Sequence, residues 1–87
     1  MSQAIMQSIK DYIMGEFLPG EDPAELTPTT PLISGGILDS IATLKLVMFV
    51  EETYGVNFEP HEVDKENFDT LDAIVTLLRS KISTVAP

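Results

Sequence analysis

The chain has 87 residues, no cysteine, 44% apolar residues and a formal net charge of −9. That length suits one domain with one small core, and the apolar fraction excludes a disordered polyelectrolyte. Fourteen acids against five bases exclude the clustered Lys and Arg footprint of nucleic-acid binding and oppose contact with an anionic membrane, while a partner with a basic patch would be attracted.

Ile5, Ile9, Tyr12, Ile13 and Phe17 recur at steps of three and four. This spacing predicts an amphipathic helix over residues 3–17, ended by Pro19-Gly20. Pro19, Pro23, Pro28 and Pro31 then exclude a regular helix up to Gly36. Leu26, Leu32 and Ile33 are expected to pin this long loop to the core, with a short turn at Ala24-Glu25-Leu26. A loop of such length in a small domain is often functional.

A second helix is expected over residues 40–54. Leu44, Val47, Met48, Glu51 and Tyr54 lie along one side, flanked by Ile41, Leu46 and Val50, and so wide an apolar arc predicts burial against more than one neighbour. Gly55 is placed to close this helix in the left-handed conformation. Val56-Asn57-Phe58 reads as an extended connection to Pro60. Residues 61–67 read as a short irregular helix anchored by Val63 and Phe68. Asp69-Thr70 predicts an N-cap for a last helix over residues 71–82, with the stripe Leu71, Ile74, Val75, Leu78 and Ile82. Arg79 and Lys81 fall in its last turn, where cations suit the helix dipole. Residues 83–87 are expected to fray. No alternation typical of strands occurs. The predicted fold is all-α: a small four-helix bundle of three longer helices and one short one, with a long first loop, spanning residues 1–87 as one domain.

No basic segment followed by an apolar stretch opens the chain, and the longest apolar run, residues 46–50, is far short of the ~20 residues a membrane helix needs. A cytoplasmic, monomeric protein without membrane insertion is the expectation. The absence of Cys fits a reducing compartment and leaves no disulfide framework, thiolate nucleophile or Cys-ligated zinc.

The chemistry-bearing candidate is Asp39-Ser40, where loop becomes helix. Both residues are good N-caps. The reciprocal capping box is missing, because Ala42 and Thr43 stand three positions on from them. If Asp39 is the cap, Ser40 is the first helical residue and its hydroxyl has no structural duty. A helix start also favours an anion such as a phosphoester. A serine hydrolase would need a histidine base, and the only histidine, His61, lies in a polar segment beside Glu62; no Gly-x-Ser-x-Gly elbow is present. The acids lack the spacing of a calcium loop. As a set, Asp39, Glu51, Glu52, Glu59, Glu62, Asp64, Glu66 and Asp69 read as a docking face for basic partners, with Ile41 and Met48 as apolar contacts inside a charged rim. Glu66 and Asp69 also suit the dipole of the last helix.

The residues Gly35-Gly36-Ile37-Leu38-Asp39-Ser40-Ile41, then Leu46-Val47-Met48 with Glu51-Glu52, then Tyr54-Gly55-Val56, then Phe68-Asp69-Thr70-Leu71-Asp72-Ala73-Ile74 are together similar to the carrier-protein family. That family holds acyl and peptidyl carriers and stand-alone aminoacyl or D-alanyl carriers, and the resemblance covers residues 31–82. It implies that Ser40 carries 4′-phosphopantetheine through a phosphodiester, preceded by the matching acid Asp39 and followed by Ile41. The arm's thiol would hold an acyl or aminoacyl group as a thioester, in a carrier that is not itself a catalyst. The second helix would be the partner-recognition helix. Implied partners are a phosphopantetheinyl transferase, a loading ligase and downstream acyl-transfer enzymes.

Ala42 and Lys45 stand where fatty-acid carriers usually have acids. With residues 63–68, Val-Asp-Lys-Glu-Asn-Phe, this brings the chain closer to D-alanyl and aminoacyl carriers, so the expected docking set is Ile41, Lys45, Met48, Glu51 and Glu52. A fatty-acid carrier with altered partners is the alternative. An acidic helical module without an arm, binding a basic or amphipathic helix, is the reading from a different class.

Overall fold

The structure, a computed structural model, describes the backbone of residues 2–85 and the side chains of residues 4–82. Four helices follow in order: α1 (Ser2–Phe17), α2 (Ser40–Tyr54), α3 (Lys65–Phe68) and α4 (Leu71–Val85), with no strand among the described residues. The all-α expectation therefore holds, three longer helices and one short one included. Helix α1 packs on α4 and on α2, and α3 packs on α4.

Ile9 and Ile13 of α1 meet Leu46 and Val50 of α2 and Leu71, Ile74 and Leu78 of α4 in one core, closed by Phe68. Each such side chain contributes roughly 1.5–3 kcal/mol on burial. Tyr12 stacks on Phe49 with ring centroids 4.1 Å apart, which seals the α1–α2 seam. Phe49 had no predicted role, because it falls off the stripe first drawn for α2.

Leu26 and Leu32 are buried as expected, Leu38 joins them, and Ile33 packs on the core's edge. The short turn is a 3-10 helix, Pro23–Glu25, capped by Asp22 through the Ala24 N–H. The expected irregular helix after Pro60 divides into a 3-10 turn, Pro60–Glu62, and α3. Asp64 causes the division: it takes an extended conformation and its carboxylate accepts the Asn67 N–H at 2.9 Å, starting a new helix.

Three expectations about the end of the chain need correction. Thr70 alone caps α4, its hydroxyl accepting the Ala73 N–H at 3.0 Å, while Asp69 reaches away to the first loop. Helix α4 continues to Val85, three residues beyond the expected end, so only residues 86–87 of the segment expected to fray remain, and these lie outside the described residues. Lys81 is consequently not in the last turn; it pairs with Glu62 at 2.6 Å and lies 5.3 Å from the Phe58 ring centre. Lys81 is also the first cause holding the Glu62 carboxyl below its ordinary range, followed by the Glu59 N–H.

Candidate functional site

The loop that leads to Ser40 is shaped by Gly35 and Gly36 for different reasons. A side chain at Gly35 would collide with the Pro31 carbonyl oxygen. Gly36 has φ +83°, a left-handed conformation that side chains disfavour. The turn closes on Leu32, whose carbonyl accepts the N–H groups of Ile37 and Leu38 at 2.8 and 2.9 Å.

The turn is tied to the junction between α3 and α4 by Asp69. One carboxylate oxygen accepts the N–H of Ile33 at 2.9 Å and of Ser34 at 2.8 Å; the other accepts the Ser34 hydroxyl at 2.8 Å. The Asp69 carbonyl takes the Leu32 N–H at 2.6 Å. These bonds favour the charged carboxylate, and the Ser34 backbone N–H is the first cause that holds the Asp69 carboxyl below its ordinary value, with the Ser34 hydroxyl next. Asp69 thus fixes the loop that presents Ser40, a role hidden from sequence reading because its partners are 35 and 36 residues away.

Asp39 is the N-cap of α2, with extended backbone and a carboxylate that accepts the Ala42 N–H at 2.7 Å. Ser40 is the first helical residue and is exposed, and no protein group hydrogen-bonds its hydroxyl among the described residues. Both features follow the expectation. The first-turn amides of Ser40 and Ile41, which a helix cannot bond internally, lie beside that hydroxyl. An exposed, unbonded serine at a helix start suits a covalent phosphodiester, since nothing has to be displaced to make room for it.

On the outward face of α2, Ile41 is 67% exposed, Leu44 58% and Met48 57%. Their spacing of three and four residues puts them in one stripe. Leu44 was expected on the packed side with Val47, and only Val47 is buried. Scattered exposed apolar residues need no explanation, but these three adjoin and form one exposed apolar patch on a single helix face.

The charged residues of the expected docking set divide. Lys45 and Glu52 are exposed along one edge of the stripe. Lys45 sits about 140° around the helix from Ser40, at the far side of the patch. Glu51 is half-buried and its carboxylate accepts the Phe58 N–H at 2.9 Å, so it also ties down the connection after α2. Gly55 closes α2 in the left-handed conformation, its N–H bonded to the Glu51 carbonyl.

A groove of about 500 Å³ adjoins Ser40 between α2 and α3. Ile33, Leu38, Asp39, Ser40, Thr43 and Leu44 form one wall, and Val63, Asp64 and Lys65 form the other. Lys65 entered the sequence reading only within the 63–68 stretch and was given no place beside Ser40, from which it lies 25 positions away. His61 is exposed and does not line this groove. No group of three or more metal-ligating side chains is assembled among the described residues, and no helix there is long and apolar enough to cross a membrane.

With this geometry in hand, the relatives are informative. The family model described as a phosphopantetheine attachment site matches residues 13–78. The chain belongs to this family of carrier domains, whose site holds covalent 4′-phosphopantetheine. A curated relative, the lincomycin biosynthesis protein LmbN of Streptomyces lincolnensis, is 43% identical over 56 residues, which is 64% of this chain and 20% of that protein. The chain thus spans about a fifth of that relative's length.

Proposed function

We propose that Ser40 is the attachment residue and that the chain holds an acyl or aminoacyl group on its arm for transfer between partner enzymes, without catalysing a step itself. The observation that carries this reading is the exposed Ser40 hydroxyl, first in α2, unbonded, and placed at the edge of an exposed apolar stripe. The arm would supply a thiol for thioester formation, which this cysteine-free chain lacks. Asp39 holds the helix start by capping Ala42 and leaves Ser40 free for the transferase. The two first-turn amides and the helix dipole favour the phosphodiester's negative charge there.

Ile41, Leu44 and Met48 are the apolar contacts for the transferase and the loading enzyme, with Glu52 and Lys45 as charged rim. The pathway is specialised rather than fatty-acid synthesis. Support comes from Ala42 and Lys45 in the docking helix, and from a relative named for lincomycin biosynthesis. The loader is a dedicated ligase that adenylates an amino acid or another small acid and passes it to the thiol. A basic fatty-acid enzyme would oppose Lys45, and like charges facing each other at an interface are costly.

Incubation with coenzyme A and a broad-specificity phosphopantetheinyl transferase tests the attachment. Intact mass should rise by one phosphopantetheine group in the wild type and not in Ser40→Ala, which stays folded. Modification of Ser40→Ala would overturn the assignment. For the loader, the arm-bearing protein is offered to a malonyl transferase and to adenylating ligases of its host. Efficient malonyl loading with no gain on Lys45→Glu would contradict the specialised reading.

A further inference from the structure

The first loop holds a small cavity of its own, apart from α2 and α3. It measures about 190 Å³ and lies between the end of α1 and the turn that precedes Ser40. Leu18, Leu26 and Ile37 line it together with Glu21, Asp22 and Glu25. Leu26 is buried and Leu18 and Ile37 are half-buried, so they form the floor; the three acids are exposed and form the rim. The space suits one long side chain and is too small for a helix.

The rim acids have little to do inside the molecule. Asp22 gives one oxygen to the Ala24 N–H at 2.9 Å. The carboxylates of Glu21 and Glu25 accept no hydrogen bond and meet no Lys or Arg within salt-bridge distance among the described residues. Three like charges around one cavity repel one another, and a cation entering from outside relieves that repulsion. The acids do not converge closely enough to hold a metal ion. An arginine matches both surfaces: its aliphatic stem covers an apolar floor, and its weakly hydrated planar head binds carboxylates through several N–H groups.

Ile37 precedes Ser40 by three residues, so their Cα atoms are at most about 11 Å apart. The helix on the other side of Ser40 has no acid before Glu51 and carries Lys45 instead. An enzyme that acts on the end of a long arm can stay at a distance from the carrier. A phosphopantetheinyl transferase acts on the Ser40 oxygen itself, so its surface must cover this neighbourhood. We infer that the cavity receives an arginine side chain of the host's phosphopantetheinyl transferase, gripped by Glu21 and Glu25 above Leu26 and Ile37. The inference rests on Ser40 being the attachment residue. It places the electrostatic half of the contact on the first loop and the apolar half on α2.

Two measurements test it. In the first, the host's transferase and coenzyme A are offered to wild type, to the double variant Glu21→Gln/Glu25→Gln and to Glu16→Gln, an exposed acid on α1 outside the cavity. All the replaced side chains are exposed, so the variants retain the fold. At low salt kcat/KM should fall roughly tenfold in the double variant and little in Glu16→Gln, and the gap should close as salt rises. In the second, N-acetylarginine methylamide is titrated into the isotope-labelled protein. The methyl resonances of Leu18, Leu26 and Ile37 should shift in the wild type, and should not shift in the double variant or with the uncharged citrulline analogue. Unchanged rates in the double variant, equal losses in Glu16→Gln, or no methyl shifts with the arginine probe overturn the inference, while arm uptake by the wild type leaves the carrier reading standing. Failure of the wild type to gain any arm overturns both.

Discussion

The two faces of α2 are built from the same kinds of residue and meet opposite fates. Leu46 and Val50 are fully buried in the core shared with α1 and α4, whereas Leu44 and Met48, two positions away, are more than half exposed. The first face holds the bundle together. The second, next to Ser40 and rimmed by Glu52 and Lys45, faces outward. Apolar character therefore does not by itself mark the core of this helix; position around the axis decides whether a side chain is buried or exposed.

Truncating a side chain on each face in turn separates their contributions. Leu46→Ala should lower the free energy of unfolding by about 2–5 kcal/mol, because it opens a cavity in a closed core. Leu44→Ala should change stability by no more than about 0.5 kcal/mol, since solvent already surrounds that side chain. Urea unfolding measures both. Equal losses at the two sites would show that the outward face is packed after all.

A second test concerns the loop that leads to Ser40 at the start of α2. Asp69→Ala removes three hydrogen-bond acceptances, so the amides of Ile33 and Ser34 should exchange several-fold faster while those of α2 keep their protection. Asp69→Asn should recover much of the loss, because an amide oxygen still accepts both N–H groups. The Asp69 carboxyl is held low in the folded chain, so its contribution to stability is fully present above the ordinary aspartate value. That contribution disappears as pH falls through the lowered folded value. Unfolding midpoints of wild type and Asp69→Asn should therefore converge in acid; a gap that widens there would reverse the assignment.

The two adjacent glutamates provide a finer test. Glu51→Ala removes the tie to the Phe58 N–H and should cost about 1 kcal/mol in stability. Glu52→Lys should leave stability within about 0.5 kcal/mol. It should slow association with a basic transferase or ligase, by a factor that shrinks as salt rises. Stopped-flow kinetics at two ionic strengths separates the effects, and a salt-independent rate for Glu52→Lys would remove Glu52 from the docking rim.

The helices and most of the core were legible because periodicity records which side chains face inward. Ile9, Ile13, Leu71, Ile74 and Leu78 follow it directly. Periodicity failed at Leu44, because an apolar residue on the outward face carries the same pattern as one that meets the core. Asp39 and Ser40 were legible from local rules, since an N-cap and the residue after it are defined within four positions. Asp69 was misread by the same rules: a good local cap was available in Thr70, and nothing nearby disclosed that Asp69 would bond residues 33 and 34. Lys65 was missed for a related reason, as the groove it shares with Ser40 exists only after α3 packs.

Whether Ser40 bears the arm in the living cell is decided by isolating the protein from its own host, digesting it and sequencing the peptide that contains Ser40 by tandem mass spectrometry. A single phosphopantetheine is expected on Ser40, with an amino acid or another small acid on the terminal thiol in part of the population. A bare Ser40, or an arm on any other residue, would contradict it.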